Sequence, residues 1–188
     1  MRSFIAIELP QFVSVALEQV QKSLRADKLN IRWVTSQNIH LTLKFLGDIT
    51  AEMLEPVGRV LIEAASSCNP ISLTAAGIGA FPGIKNPRII WTGVSGDIPQ
   101  LKAFQQSLED GLAALGHARE KRAFKAHLTL GRVKGAVDPV KLNSALNRVR
   151  DFRTEPFSAD RICLFRSDLK PSGPVYTKLA SATLVPSL

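Results

Sequence analysis

The tetrapeptide His-Leu-Thr-Leu is written twice, at residues 40–43 and 127–130, in a chain of 188 residues that holds only three histidines. A chance second copy of the three residues following a histidine has a probability of roughly one in a thousand at average residue usage. The repeat is also larger than four residues. "RSFIAIEL" (2–9) reads as a strand, and "QFVSVALEQVQKSL" follows with Val13, Leu17, Val20 and Leu24 at helical spacing behind Pro10. The first HLTL strand spans 39–46. A helix over 54–66 takes Pro56 in its first turn, and a strand covers 70–81.

The second pass repeats that order. A strand at 88–94 precedes a helix beginning at "DIPQ", with Asp97 as its cap and Leu101, Phe104, Leu108, Leu112 and Leu115 at steps of three and four. The second HLTL strand covers 124–132, and "DPVKLNSALNRV" is again a capped helix. Strands follow at 157–167 and 175–184. The expected class is α+β and bilobal, with an internal repeat over about 1–81 and 88–167 and a final strand at 175–184, all in one domain. The Pro- and Gly-rich stretch "FPGIKNPR" (81–88) is the expected boundary between lobes. There is no Gly-rich phosphate loop of the dinucleotide or P-loop type.

Side chains alternate along a strand, so His40 and Thr42 share one face while Leu41 and Leu43 share the other. His127 and Thr129 stand likewise against Leu128 and Leu130. Each motif buries two leucines and presents an imidazole, which titrates near neutral pH, beside a hydroxyl that donates hydrogen bonds. Two such sites related by a pseudo-twofold axis suit in-line displacement at phosphorus. One imidazole removes a proton from the attacking oxygen, the other protonates the leaving oxygen, and the threonines hold the non-bridging oxygens. Two histidines without a cysteine or carboxylate at ligand spacing are too few for zinc, so no metal and no cofactor are expected. His117, in "LGHARE", has no threonine partner and reads as a surface residue.

Net charge is +8, and the excess lies in the second half: 15 Lys/Arg against 9 Asp/Glu over 95–188, compared with 9 against 7 before it. Between Arg119 and Lys134 six cations accompany a single acid, Glu120. A basic run around a repeated histidine motif favours a phosphate or nucleic-acid partner. Cations beside His127 (Lys125, Arg132) are expected to lower its pKa, whereas His40, near Lys44 and Asp48, is in a more balanced setting. No apolar run reaches the length of a membrane span, and "MRSFIAIELP" is broken by Glu8 and Pro10, so it reads as a strand and not as a leader. Two cysteines with neither metal nor disulfide spacing point to a reduced, cytoplasmic setting.

The paired motifs, "IRWVTSQNIHLTLKFLG" first among them, resemble the 2H phosphoesterases, specifically the RNA 2′,3′-cyclic phosphodiesterases also called 2′-5′ RNA ligases (LigT-type). The likeness extends to "RSFIAIELP", "FPGIKNPRIIWTGV", "HLTLGRV" and "LFRSDLKPSGPVYTKL". It implies pseudo-symmetric lobes with antiparallel-rich sheets, flanking helices and an active-site cleft between them. It also implies metal-independent hydrolysis of an RNA 2′,3′-cyclic phosphate to a 2′-phosphomonoester, with His40 as proton donor and His127 as acceptor. Thr42 and Thr129 would complete the motifs. Implied substrates are RNA ends, including tRNA halves, which some relatives join through a 2′-5′ linkage, and nucleotides; the expected state is a monomer. Arg132 matches an arginine that commonly follows the second motif and contacts phosphate. Strict alternation puts it on the leucine face, so it reaches the cleft only if the strand bends or ends at Gly131. Where relatives often carry Pro before the second histidine, Ala126 stands here, which removes a restraint but no chemical group. A second class of function stays open: a nucleotide- or RNA-binding module whose motifs hold phosphate without turnover.

Overall fold

The computed structural model describes residues 1–171 and 173–185. In chain order the elements are β1 (Arg2–Glu8), α1 (Gln11–Arg25), β2 (Ile31–Trp33), β3 (His40–Asp48), α2 (Leu54–Ser66), β4 (Ile71–Phe81), β5 (Ile89–Gly96), α3 (Ile98–Ala114), β6 (His127–Val133), α4 (Pro139–Arg148), β7 (Phe157–Ala159), β8 (Arg161–Lys170) and β9 (Gly173–Thr183). The helices form where apolar residues recur on one face. α1 buries Val13, Leu17, Val20 and Leu24, and α3 buries Leu101, Phe104, Leu108 and Leu112. The Asp138 side chain caps α4 by accepting a hydrogen bond from the Val140 N–H at 2.9 Å. Asp97 holds the same position before α3, but there its backbone carbonyl accepts from Leu101 N–H and the carboxylate makes no cap bond.

The strands form two antiparallel sheets, ordered β3-β1-β8-β9 and β2-β6-β5-β4-β7. The fold is therefore α+β with two sheets, as expected, but the sheets are not the two halves of the sequence. β4 ends the first half and pairs with β5, while β8 from the second half pairs with β1. β2 and β4 of the first half thus lie in the sheet of β5 and β6, and β8 of the second half lies in the sheet of β1 and β3. The stretch 81–88 is accordingly a connection between β4 and β5 within one sheet and not a boundary between lobes. The strand expected over 157–167 is two strands: β7 joins β4 in one sheet, and β8 joins β1 in the other. The chain crosses at Asp160, where no Gly or Pro marks the change. β2, only three residues long, adds an edge strand beside β6 that sequence periodicity does not reveal. Residues 124–126, expected as strand, have no regular structure.

One apolar core runs through both sheets and the helices, including Ile5, Ile7, Leu41 and Leu43 of one sheet and Ile90, Leu128 and Leu130 of the other. Two buried glutamines brace the halves reciprocally. The Gln21 side chain of α1 donates to the Leu130 carbonyl of β6 (2.8 Å) and to that of Val34 (2.7 Å). The Gln105 side chain of α3 donates to the Leu43 carbonyl of β3 (3.3 Å). Each helix thus satisfies a carbonyl in the other half's HLTL motif, at the point where the strand ladder is interrupted.

Candidate active site

That interruption sets the geometry of the site. In the β1–β3 ladder Ala6 pairs with Thr42 but Ile5 pairs with Lys44, so Leu43 is an extra residue. In the β5–β6 ladder Trp91 pairs with Thr129 but Ile90 pairs with Gly131, so Leu130 is extra. Both motifs carry a β-bulge at their final leucine, and two consecutive residues point inward in each. Leu43 and Lys44 are both buried, as are Leu130 and Gly131. Beyond the bulge the alternation is reset. Phe45 and Arg132, five residues after each histidine, therefore return to the face that bears the imidazoles and threonines.

The bulge, and not a bend at Gly131, returns Arg132 to the face of the imidazoles. Gly131 has another role, since a Cβ there would come within 2.6 Å of the Ile31 side chain and 3.1 Å of that of Trp33. Simple alternation from His40 puts Phe45 on the leucine face, and the bulge brings it out instead. It is 64% exposed, an unusual state for a phenylalanine, with its ring centroid 6.1 Å from that of Phe4. Lys44 moves the other way. Expected beside His40, it is turned by the bulge into the interior, where its ammonium donates to Glu109 (2.8 Å) and to the Ala118 carbonyl (2.6 Å).

The two imidazoles are held alike. His40 Nδ1 lies 2.8 Å from the Asn38 carbonyl, and His127 Nδ1 lies 2.7 Å from the Lys125 carbonyl, in both cases two residues upstream. A carbonyl only accepts, so Nδ1 carries the proton and Nε2 is left for proton transfer. His40 stacks on Phe4 at a centroid distance of 4.6 Å and meets the edge of Tyr176 at 5.3 Å. His127 meets Phe81 edge-on at 5.3 Å, and Phe81 stacks on Trp91 at 4.8 Å. The turn before β3 is tied to the β8–β9 hairpin by a hydrogen bond from the Asn38 side chain to the Pro174 carbonyl, 2.9 Å. Thr42 and Thr129 are half-buried beside their histidines.

β3 and β6 approach each other closely, which brings the second motif's arginine to the first motif's imidazole. Burial pulls the His40 pKa down to about 4; the Asn38 hydrogen bond opposes this and the Arg132 charge adds to it. Arg132 thus acts on His40, whereas its sequence position suggests His127. Burial also raises the Tyr176 phenol above its ordinary value, against the nearby charges of Arg132 and Arg2. A cleft of about 710 Å³ opens beside His40, lined by Glu8, Glu18, Gln37, Phe165 and Tyr176 among others. His117, expected at the surface, is half-buried; Nε2 has no hydrogen-bond partner, and burial and the Lys44 charge lower its pKa. Among the described residues no three His, Cys, Asp or Glu side chains gather as metal ligands, and no helix is long and apolar enough to cross a membrane.

The His40 shift gives stability a pH dependence. Below the ordinary value of 6.5 the unfolded chain takes up a proton that the native imidazole refuses until about pH 4. Stability contributed by this group is complete above 6.5, falls across pH 6.5 to 4 and levels off below. The loss is on the order of 3 kcal/mol at about 1.4 kcal/mol per tenfold change in proton affinity. Urea unfolding at a series of pH values should show this fall in the wild type and a flatter curve in His40→Gln. Parallel curves for the two proteins would contradict the assignment.

The family model for LigT like phosphoesterases matches residues 7–91 and 93–176, one segment for each histidine motif. The chain is 33% identical to the RNA 2′,3′-cyclic phosphodiesterase of Archaeoglobus fulgidus, over 95% of this chain and 98% of that protein. It is 29% identical to the enzyme of the same name from Methanothermobacter thermautotrophicus, over 95% and 96% of the two chains. A crystal structure of TT0787 from Thermus thermophilus superposes with a TM-score of 0.81 over 98% of each chain at 28% identity.

Proposed function

Because the chain belongs to the LigT like phosphoesterase family, we propose that it is an RNA 2′,3′-cyclic phosphodiesterase that hydrolyses the cyclic ester to a 2′-phosphomonoester. The observation that carries this reading is the matched pair of imidazoles, each with Nδ1 anchored on a carbonyl and Nε2 left for proton transfer, with Arg132 on the same face. In the reaction, water attacks phosphorus opposite the 3′ oxygen and gives its proton to His127 Nε2. The bond from phosphorus to the 3′ oxygen breaks as that oxygen takes a proton from His40 Nε2. Exchange with solvent then restores both imidazoles. Thr42, Thr129 and Arg132 hold the non-bridging oxygens, where negative charge is concentrated. Each proton transfer contributes about 10²–10⁴ in rate.

His40 is neutral at pH 7 in the free protein. An anionic phosphodiester placed beside it offsets the Arg132 charge and favours the imidazolium, so the acid is formed in the complex with substrate. Phe45, 64% exposed, and the half-buried Tyr176 offer ring surface for the bases of an RNA end, while Phe4 and Phe165 are buried behind them and support His40. Ligation of tRNA halves through a 2′-5′ linkage would use the same residues, with a ribose hydroxyl in place of water.

The test is incubation of the purified protein, in excess EDTA, with an RNA oligonucleotide ending in a 2′,3′-cyclic phosphate, followed by mapping of the terminal phosphate. Conversion to a 2′-phosphate is expected. Formation of a 3′-phosphate would reverse the direction of cleavage, and tight binding without conversion would leave a phosphate-binding module. Addition of a 5′-hydroxyl RNA in the same assay reports any 2′-5′ joining.

A further inference from the structure

The two flanks of the site differ in charge in a way that the repeat does not foreshadow. Beside His40, the cleft is lined by the carboxylates of Glu8 and Glu18, and the cations that act on its His40 and Tyr176 walls are Arg132 and Arg2. Each carboxylate already has a cation, Lys178 at 2.6 Å and Lys22 at 3.5 Å. Beside His127, residues 115–126 lead from α3 to β6 without helix or strand and carry Lys121, Arg122 and Lys125, all exposed. None of these three makes an ion pair among the described residues, whereas Arg119 in the same segment is engaged by Asp110.

This segment is not a loose loop. The Ala118 carbonyl accepts from the buried Lys44 ammonium (2.6 Å), and the Glu120 N–H donates to Glu109 (3.3 Å). Lys44 and Glu109 are paired at 2.8 Å with side chains 6% and 7% exposed. The far end of the segment is the Lys125 carbonyl that holds His127. A buried ion pair contributed by β3 of one sheet and by α3 therefore anchors a cationic strip that runs directly into the second catalytic motif.

Resting on the activity proposed above, we propose that residues 115–126 form the track for the RNA chain leading to the cyclic end, with Lys121 and Arg122 on its phosphates. The substrate is then an oligonucleotide whose anionic body lies over the His127 flank. On the other flank the two lining carboxylates are already matched by Lys178 and Lys22, so those lysines are not free for phosphates. The bonds at Ala118 and Glu120 limit the backbone entropy lost on binding, and two phosphate contacts contribute a salt dependence of about 0.7 each in log–log slope for a single strand.

The experiment compares kcat/KM for a ribo-oligonucleotide ending in 2′,3′-cyclic phosphate with that for a mononucleoside 2′,3′-cyclic phosphate. The wild type, the Lys121→Glu/Arg122→Glu variant and an Arg59→Glu/Lys102→Glu variant of equal net charge are measured at several salt concentrations. The expected result is a fall of about tenfold in the oligonucleotide-to-mononucleotide ratio for the first variant only, with its salt slope reduced by about 1.4. A ratio unchanged in that variant, or lowered equally in the charge control, overturns the track while leaving the hydrolase reading intact. A wild type that turns over neither substrate overturns the hydrolase reading itself, and the track with it.

Discussion

Replacing either motif imidazole, as His40→Ala or His127→Ala, is expected to lower kcat on a 2′,3′-cyclic phosphate end by about 10²–10⁴. The two rings are held by equivalent bonds to carbonyls two residues upstream, and in the mechanism proposed above loss of either removes one proton transfer from the same displacement. Groups that act as a unit are not additive, and the double variant should be little slower than the worse single one. Roles can be separated by the leaving group. A cyclic ester with sulfur at the 3′ bridging position departs as a thiolate, whose conjugate acid has a pKa near about 8.5, without needing a proton. That substrate should rescue His40→Ala and leave His127→Ala impaired. Rescue of the opposite variant would exchange donor and acceptor, and a variant keeping more than about a tenth of wild-type kcat would remove its imidazole from the chemistry. Because His40 also stacks on Phe4, His40→Gln and an unfolding curve should accompany His40→Ala.

Lys44→Met carries the largest expected effect on stability, a loss of about 3–5 kcal/mol. The lysine sits inside the protein because of the β3 bulge, and its removal strands Glu109 in a buried position with only Gln105 and the Glu120 N–H as partners among the described residues. In a chain of this size the corresponding fall in Tm is roughly 10 °C. Pairing the change with Glu109→Leu should restore much of the loss, because a well-packed apolar pair of similar volume removes the uncompensated charge as well as the attraction. Urea unfolding of the two proteins decides the matter. A single variant within about 1 kcal/mol of wild type would mean that water reaches Glu109 and that the ion pair is not buried in solution.

Much of the site can be read before the fold is known, because it rests on short-range geometry. Alternation alone places His40 with Thr42 and His127 with Thr129, and the leucines between them fill the core as their pattern requires. The helices are equally local, since four apolar positions on α1 and four on α3 define one face each. Asp138 caps its helix as read, whereas Asp97 occupies the cap position without using its side chain. Phe45, Lys44 and Arg132 cannot be placed in the same way. Each lies beyond a bulge, and a one-residue slip exchanges the two faces of everything that follows.

By itself, then, the sequence determined the duplicated strand–helix order, the imidazole–hydroxyl pairs and the cationic run around the second motif, all properties of neighbours along the chain. The tertiary structure decided that β4 and β8 change sheets, that Arg132 bears on His40, and that Lys44 anchors residues 115–126 from the interior. The physical reason is that strand register is set by the hydrogen-bond partner. Leu43 and Leu130 become extra residues only because β1 and β5 pair past them; Gln105 donates to the Leu43 carbonyl, and Gln21 joins the Val34 N–H on that of Leu130.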